Sequence, residues 1–318
     1  MATTVGLIAN PAAGRDIRRL TAHASVVPNH EKASIVRRVL HGLAAAGVDR
    51  VLYLADTVGI VAAAVDGGSP PLAVEALDLR AHGWASDSTE AAGRLAAAGV
   101  GAIVTLGGDG TNRAVAAGCG DVPLVAVSTG TNNVFPTMVD GTVAGLAAGL
   151  VATGSVQPDQ VTTRAKRVEV SAGGSADFAL IDAAACTDAF VGTRAVWDVG
   201  RVRALVLTRA APWSVGLSAI GGRLRPLAPE EPAGLYVELG DGPAVLAAVA
   251  PGVVARVPVG GWRLLELEEP VAFAGDARTV ALDGERELTV DAAATAAVTL
   301  TGPRVVDIRA TLQAAGRG

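Results

Sequence analysis

The sequence predicts a doubly wound α/β domain followed by an all-β domain. Three observations carry this. Over residues 4–152, short apolar runs alternate with helix-like segments. After about residue 155 the texture changes to short runs of β-type residues punctuated by Gly, Pro and Asp. The 318 residues exceed what one small core needs.

In the first half, residues 4–10 (TVGLIAN) read as a buried strand, and 31–47 as a helix with Ile35, Val39 and Leu43 spaced by four and Gly47 as its stop. Further strand-like runs are RVLYLAD, LAVEALDL, GAIVTLG and VPLVAVS. Helical pieces near 57–65, 87–98, 111–118 and 137–152 separate them, the last with Val139, Val143, Leu146 and Leu150 on one face. Strands that alternate with helices imply a parallel sheet covered on both faces. In the second half, KRVEVSA, DFALIDAAA, VRALVLT, GLYVELG, AVLAAVA, WRLLELE, RTVALDG and RELTVDA predict a sandwich or packed sheets. The expected divisions are 1–155 for the α/β domain, 156–300 for the β domain and 301–318 for a tail. That tail, helical near 307–315, carries VVDIRATLQ, which needs an apolar surface and is expected to find it on the first domain.

Composition narrows the function. The 26 basic and 31 acidic residues give a net charge of −5, which argues against a general nucleic-acid binder. Residues 1–50 are the exception at +4. Cys119 and Cys186 are too few and too distant for a disulfide framework or a metal cluster, so a reducing compartment is expected. The start MATTVGLIANP has no basic leader, and GTVAGLAAGLVATG is too short and glycine-rich to span a bilayer. A cytoplasmic protein without membrane insertion is the expectation.

Two loops carry the chemistry. Gly107-Gly108-Asp109-Gly110-Thr111 follows the fourth strand, and Thr129-Gly130-Thr131-Asn132-Asn133 the fifth. Ligands of open parallel sheets bind beyond the carboxyl ends of the strands. These loops and Asn10-Pro11 after the first strand should therefore share one edge. Glycines let backbone approach a polyphosphate, and a helix starting near Thr111 adds its positive end. An aspartate there makes sense if Mg²⁺ accompanies the phosphates or a hydroxyl must lose a proton. The alternative is a turn residue or helix cap. Arg15, Arg18 and Arg19 follow Asn10-Pro11 and form either an anion clamp, with His23, or a solvated loop.

Other phosphate chemistries lack their parts. There is no G-x-x-x-x-G-K-[ST], and Lys32 and Lys166 are the only lysines. No G-x-G-x-x-G opens the first helix, no G-x-S-x-G is present, and all four histidines lie in the first 82 residues.

Gly-Gly-Asp-Gly-Thr after a strand, with Asn-Pro after the first strand, resembles the superfamily of NAD kinases and diacylglycerol- or sphingosine-type lipid kinases. The GTNN of residues 130–133 resembles the lipid-kinase Gly-Thr-Gly-Asn-Asp loop, with Asn133 in place of the acid, and LDGERE (282–287) resembles the superfamily's Asp-Gly-Glu turn. ANPAAGRDIRRLTAHASVVPNHEK and VSTGTNNVFP are similar to the acetoin-catabolism X proteins, described as NAD-kinase-like. The resemblance implies ATP-dependent phosphoryl transfer to a hydroxyl, with NAD as the first acceptor and another small alcohol or a lipid as alternatives. It also implies ATP and Mg²⁺ as cofactors and a homo-oligomer. Asn10, Gly107, Gly108, Gly110, Thr111, Gly130, Thr131, Asn132 and Asn133, with Arg18 and Arg19, would line the nucleotide. Asp109, also the metal ligand, and Glu285 would be catalytic. Asp182, Asp188 and His23 would meet the acceptor. The Asn-Glu pair by which NAD kinases hold the nicotinamide nucleotide has no counterpart; the corresponding stretch reads LIDAAACTDAF. That departure leaves open a nucleotide-binding regulator without turnover.

Overall fold

Parallel strands need apolar cover on both faces, and the first half of the chain supplies it in strict alternation. The computed structural model describes residues 2–13, 27–68, 71–130, 132–188, 198–273, 275–284, 286–290 and 293–316. It builds β1 (Thr4–Ala9), α1 (Asn29–Ala45), β2 (Arg50–Tyr53), α2 (Ile60–Asp66), β3 (Ala73–Ala76), α3 (Ala85–Ala97), β4 (Ile103–Gly107), α4 (Asp109–Ala116), β5 (Leu124–Ser128) and α5 (Gly141–Ala152). Every residue of β1, β4 and β5 is buried. The strand order β3-β2-β1-β4-β5 is parallel throughout. The chain winds outward from β1 to β3, then returns to place β4 on the other side of β1. The carboxyl ends of β1 and β4 thus flank the point where the winding reverses, the usual ligand crevice of such sheets.

The small residues of α5 have a packing role. Asp140 caps the helix by accepting from the Thr142 amide at 2.8 Å. The expected Val and Leu face is not the one most deeply buried; Gly141, Ala144, Gly145, Ala147, Ala148 and Gly149 are. A Cβ on Gly145 would lie 2.1 Å from the Val39 carbonyl oxygen of α1. The two helices therefore approach backbone to backbone, which larger side chains forbid.

The second half continues through α6 (Pro158–Val161), β6 (Thr162–Arg164), β7 (Arg167–Ala172), β8 (Ser175–Ala179), β9 (Asp182–Cys186), β10 (Val202–Leu207), α7 (Ser218–Leu224), β11 (Ala233–Ala250), β12 (Val253–Glu266), β13 (Val271–Ala272), β14 (Thr279–Leu282), β15 (Arg286–Thr289) and β16 (Ala294–Thr299). Among the described residues these form a sheet of order β12-β11-β10-β9-β14-β15 and a smaller one of order β13-β16-β7-β8. Val168, Val170 and Val298 of the small sheet meet Ala183, Ala185, Val206 and Val280 of the large one. The far face of the large sheet is covered by α7 through Ala219 and Ile220. Strand β9 is therefore buried on both sides, which suits its Ala-Ala-Ala sequence.

Three sequence expectations change here. DFALIDAAA is two strands in different sheets, because Leu180 and Ile181 between them bury against Ile8, Ala126 and Phe135 of the first domain. GLYVELG and AVLAAVA are one strand, with a register shift between Leu239 and Ala244. β6, at residues 162–164, joins the first sheet rather than the β domain. The tail forms β17 (Arg304–Val306) and α8 (Ile308–Ala315). β17 inserts between β5 and β6, with Val305 paired parallel to Leu124, and α8 lays Ile308, Ala310 and Ala314 on the first core. The tail returns to the first domain, as its apolar sequence requires.

Candidate functional site

The three glycine- and asparagine-bearing loops meet because β1, β4 and β5 are neighbours. Asn10 Nδ2 donates to Thr111 Oγ1 at 2.8 Å, and Asn10 Oδ1 accepts from the Ala12 amide at 2.8 Å. Gly107 must lack a side chain, since a Cβ would lie 2.4 Å from Thr111 Oγ1. Gly108 sits against Asn133 in the same way, at 2.8 Å. Asn133 Nδ2 in turn donates to Ser128 Oγ at 2.8 Å. Buried Asn112, one residue past the glycine motif, accepts from Thr105 Oγ1 at 2.6 Å and donates to the Gly108 carbonyl at 2.8 Å. The hydroxyl of Thr129 is buried with no hydrogen-bond partner among the described residues.

Asp109 joins two of these loops. It is the first residue of α4 but does not cap it. One carboxylate oxygen accepts from the Val134 amide at 3.0 Å and the Phe135 amide at 2.8 Å, and the other accepts from Val134 at 3.1 Å. This geometry ties the loops after β4 and β5 together.

Both lysines are structural. Lys32 is fully buried and its Nζ donates to the carbonyls of Asn10, Pro11 and Ala13, at 2.9, 3.2 and 3.3 Å, clamping the loop after β1. Lys166 Nζ does the same for Ala228, Glu231 and Ala233, at 3.2, 2.6 and 2.8 Å. Its pKa is pulled down to about 8, first by burial and then by neighbouring Arg209.

The β domain contributes the opposite side. Asp283, at φ +51°, opens the β14–β15 hairpin in the left-handed region that Asp tolerates better than most residues. Its buried carboxylate accepts from the amides of Leu180, Ile181 and Asp182, at 2.9, 2.7 and 3.3 Å. Burial raises its pKa, opposed by Arg113 and by those amides. Asp109 and Asp283 thus repeat one device on two domains, a carboxylate that gathers successive amides of a crossing segment.

Two arginines lie among these carboxylates. Buried Arg113 of α4 reaches across to β8, with Nη2 2.7 Å from Asp177 Oδ2. The Phe178 ring lies under both Arg113, at 5.6 Å, and Arg167, at 4.7 Å. Arg209 lies over the Phe135 ring at 5.2 Å, with a buried Nε lacking a hydrogen-bond partner among the described residues. Burial lowers its pKa, opposed by the charges of Asp109, Glu230 and Asp283. Neither arginine was singled out by sequence reasoning, although Arg113 stands two residues past the glycine motif.

Between the domains lies a cleft lined by Asp109, Asn132 and Val134 of the first domain and by Asp182, Val215, Leu217, Ser218, Val249 and Asp283 of the β domain. The sequence-expected residues divide accordingly. Asn10, Gly107, Gly108, Gly110, Thr111, Gly130, Asn132 and Asn133 belong to the converged loops, and Asp109 and Asp182 to the cleft. Asp188 does not join them. It lies past the other end of β9, roughly 20 Å of extended chain from Asp182, where Arg201 holds it at 2.6 Å. Arg18, Arg19, His23, Thr131 and Glu285 lie outside the described residues. Among the described residues no three His, Cys, Asp or Glu side chains gather in one place. The Val134 and Phe135 amides leave lone pairs on the Asp109 carboxylate, and it is the residue that would hold Mg²⁺. No helix among the described residues is long and apolar enough to cross a membrane.

Comparison with known proteins agrees with this two-part construction. Residues 5–156 match the family described as the ATP-NAD kinase N-terminal domain, and residues 166–302 that described as the acetoin catabolism protein X C-terminal domain. A crystal structure of an NAD kinase from Archaeoglobus fulgidus in complex with ATP is similar with a TM-score of 0.45 and 12% identity, covering 98% of this chain and 96% of that one. The acetoin catabolism protein X of Cupriavidus necator is 40% identical over 337 aligned positions, which span 100% of this chain and 93% of that protein. Such identity over the full length, across both domains and the loops between them, places the chain in the acetoin catabolism protein X family.

Proposed function

We propose that this protein transfers a phosphoryl group from ATP to a hydroxyl of a small molecule held in the interdomain cleft. The observation that carries this reading is the convergence of three loops at the switch point of the sheet, with Asp109 tying two of them together at the mouth of a carboxylate-lined cleft. The match of residues 5–156 to an ATP-NAD kinase domain supports the same chemistry. ATP would supply the phosphoryl group and lie along Asn10, Gly107 to Thr111 and Gly130 to Asn133. The positive end of α4 and the buried Thr129 hydroxyl suit phosphate oxygens. Asp109 holds the loops of this edge in register, and Glu285 of the Asp-Gly-Glu sequence would accept the hydroxyl proton. No step is assigned to magnesium.

NAD and a different small alcohol are the acceptors to compare. Incubation with MgATP and a panel holding both, scored by ADP release, tests the reading. ADP formed only with acceptor present is the expected result. Tight ATP binding with no ADP from any acceptor would favour a nucleotide-binding regulator.

A further inference from the structure

The carboxyl edge of the first sheet carries more than the glycine loops. Among the described residues of the α/β domain, the large apolar side chains left exposed are Val58, Trp84 and Met138, and each lies in the connection that follows the carboxyl end of a strand, β2, β3 and β5 in turn. Apolar side chains scattered singly over a surface need no explanation; these share the one edge where the loops converge. Trp84 is 63% exposed, yet its loop is firmly held. Leu77, Leu79 and Ala81 seat the connection from β3 to α3 on the core, and Gly83 turns it at φ +86°. Buried Asp87 fixes its end, with Oδ2 accepting from the His82, Gly83 and Trp84 amides at 2.9, 2.7 and 3.0 Å. Asp56 holds the neighbouring loop in the same way, accepting from the Val58, Gly59 and Ile60 amides, each at 2.9 Å. The two loops lie side by side, since a Cβ on Gly83 would be 4.0 Å from Thr57 Cγ2. An indole fixed in water at such a place offers its face to another flat ring.

The packing of α3 on α4 locates Trp84 relative to the glycine motif. Thr89 Oγ1 donates to the Ala114 carbonyl at 2.8 Å, and a Cβ on Gly93 would lie 3.8 Å from the Gly118 carbonyl oxygen. The two segments therefore run parallel with a constant offset, which sets Trp84 level with Asp109, one helix spacing of about 8–10 Å away. The reacting end of a triphosphate must face the cleft, on the β5 flank where the β domain joins the sheet. The rest of the nucleotide then runs the other way, across the start of α4 toward α3. Resting on the phosphotransfer reading, we propose that Trp84 is the platform on which the base of the nucleotide stacks, with Val58 at its rim. Stacking engages the π face that every base has. The platform therefore selects a nucleoside triphosphate over a bare polyphosphate as donor, without itself choosing among bases.

The test uses the full chain and calorimetric titration with MgATP and, in parallel, with magnesium tripolyphosphate, which keeps the phosphates and lacks the base. Wild type should bind MgATP the more tightly. Trp84→Ala should weaken MgATP binding about 5- to 100-fold, the loss of one base stack. Tripolyphosphate affinity and the melting temperature should not change, because the removed indole is exposed. Trp84→Phe should keep most of the MgATP affinity. ATP should also quench part of the wild-type tryptophan emission, and that quenching should be missing from Trp84→Phe, which separates stacking from an indirect effect. Equal affinity of wild type for the two ligands, MgATP affinity indifferent to Trp84→Ala, or a matching loss of tripolyphosphate affinity overturns the proposal and leaves the phosphotransfer reading standing. Binding of neither ligand by wild type overturns both.

Discussion

At the scale of single residues, the protein uses its charges mostly to hold backbone. Lys32, Lys166, Asp109 and Asp283 each gather two or three main-chain groups from segments that must lie side by side. Each such bond to a charged group is worth about 1.5–3 kcal/mol. Lys166 gives this a pH signature. With a pKa of about 8 in the folded chain against 10.5 for an ordinary lysine, the unfolded state holds more protons between those values. Stability should therefore rise with pH across that window and stay level just below it. Urea unfolding of wild type and Lys166→Met at pH 8, 9 and 10 checks this; the wild type should gain stability relative to the variant as the pH rises, and a constant or falling difference would refute it. This role for the lysines was not legible in the sequence, where two lysines in 318 residues argued only against a lysine-based phosphate loop. Burial depends on which carbonyls surround a side chain, and Lys166 meets carbonyls more than sixty residues away.

At the scale of elements, legibility follows the distance over which a feature is decided. Strands β1, β4 and β5 read clearly because strands buried on both faces are continuous apolar runs. The loops after them read clearly because glycine and asparagine mark their turns. Helix α7 left no such trace, since SAIGGRL is seven residues with two glycines. The break in DFALIDAAA is invisible locally, because it is set by Asp283 a hundred residues on, which collects the amides of Leu180 to Asp182. Ser218 and Arg209 came into view only with the topology for the same reason. In α5 the periodicity pointed to Val and Leu, whereas the close approach of α1 selected the Gly and Ala face. Gly145→Ala should accordingly cost about 1–3 kcal/mol by overpacking against the Val39 carbonyl. A drop in the urea midpoint with unchanged slope is expected; an unchanged or raised midpoint would mean that the two helices are free to separate.

At the scale of the whole molecule, the two domains are held by chain crossings as well as by surface contact. The polypeptide leaves the first sheet at β6, builds the β domain, and returns through β17 between β5 and β6. Leu180 and Ile181 enter the first domain's core, and Arg113 reaches the other way to Asp177. Removing residues 303–318 should therefore expose the edges of β5 and β6 and abolish cooperative melting; a truncated chain that melts cooperatively at the wild-type temperature would contradict the account. This interlock fixes the cleft, whose one half is the nucleotide edge and whose other half is the Asp283 hairpin and the wall at Ser218. The central claim is that the converged loops bind ATP and that Asp109 holds them together. Calorimetric titration of MgATP into wild type and Asp109→Ala tests it most directly. Saturable binding at one site per chain is expected, weakened about 10- to 100-fold in the variant, as loss of a charged hydrogen-bonding anchor implies. Absence of binding to the wild type, or equal affinity in the two proteins, would contradict it.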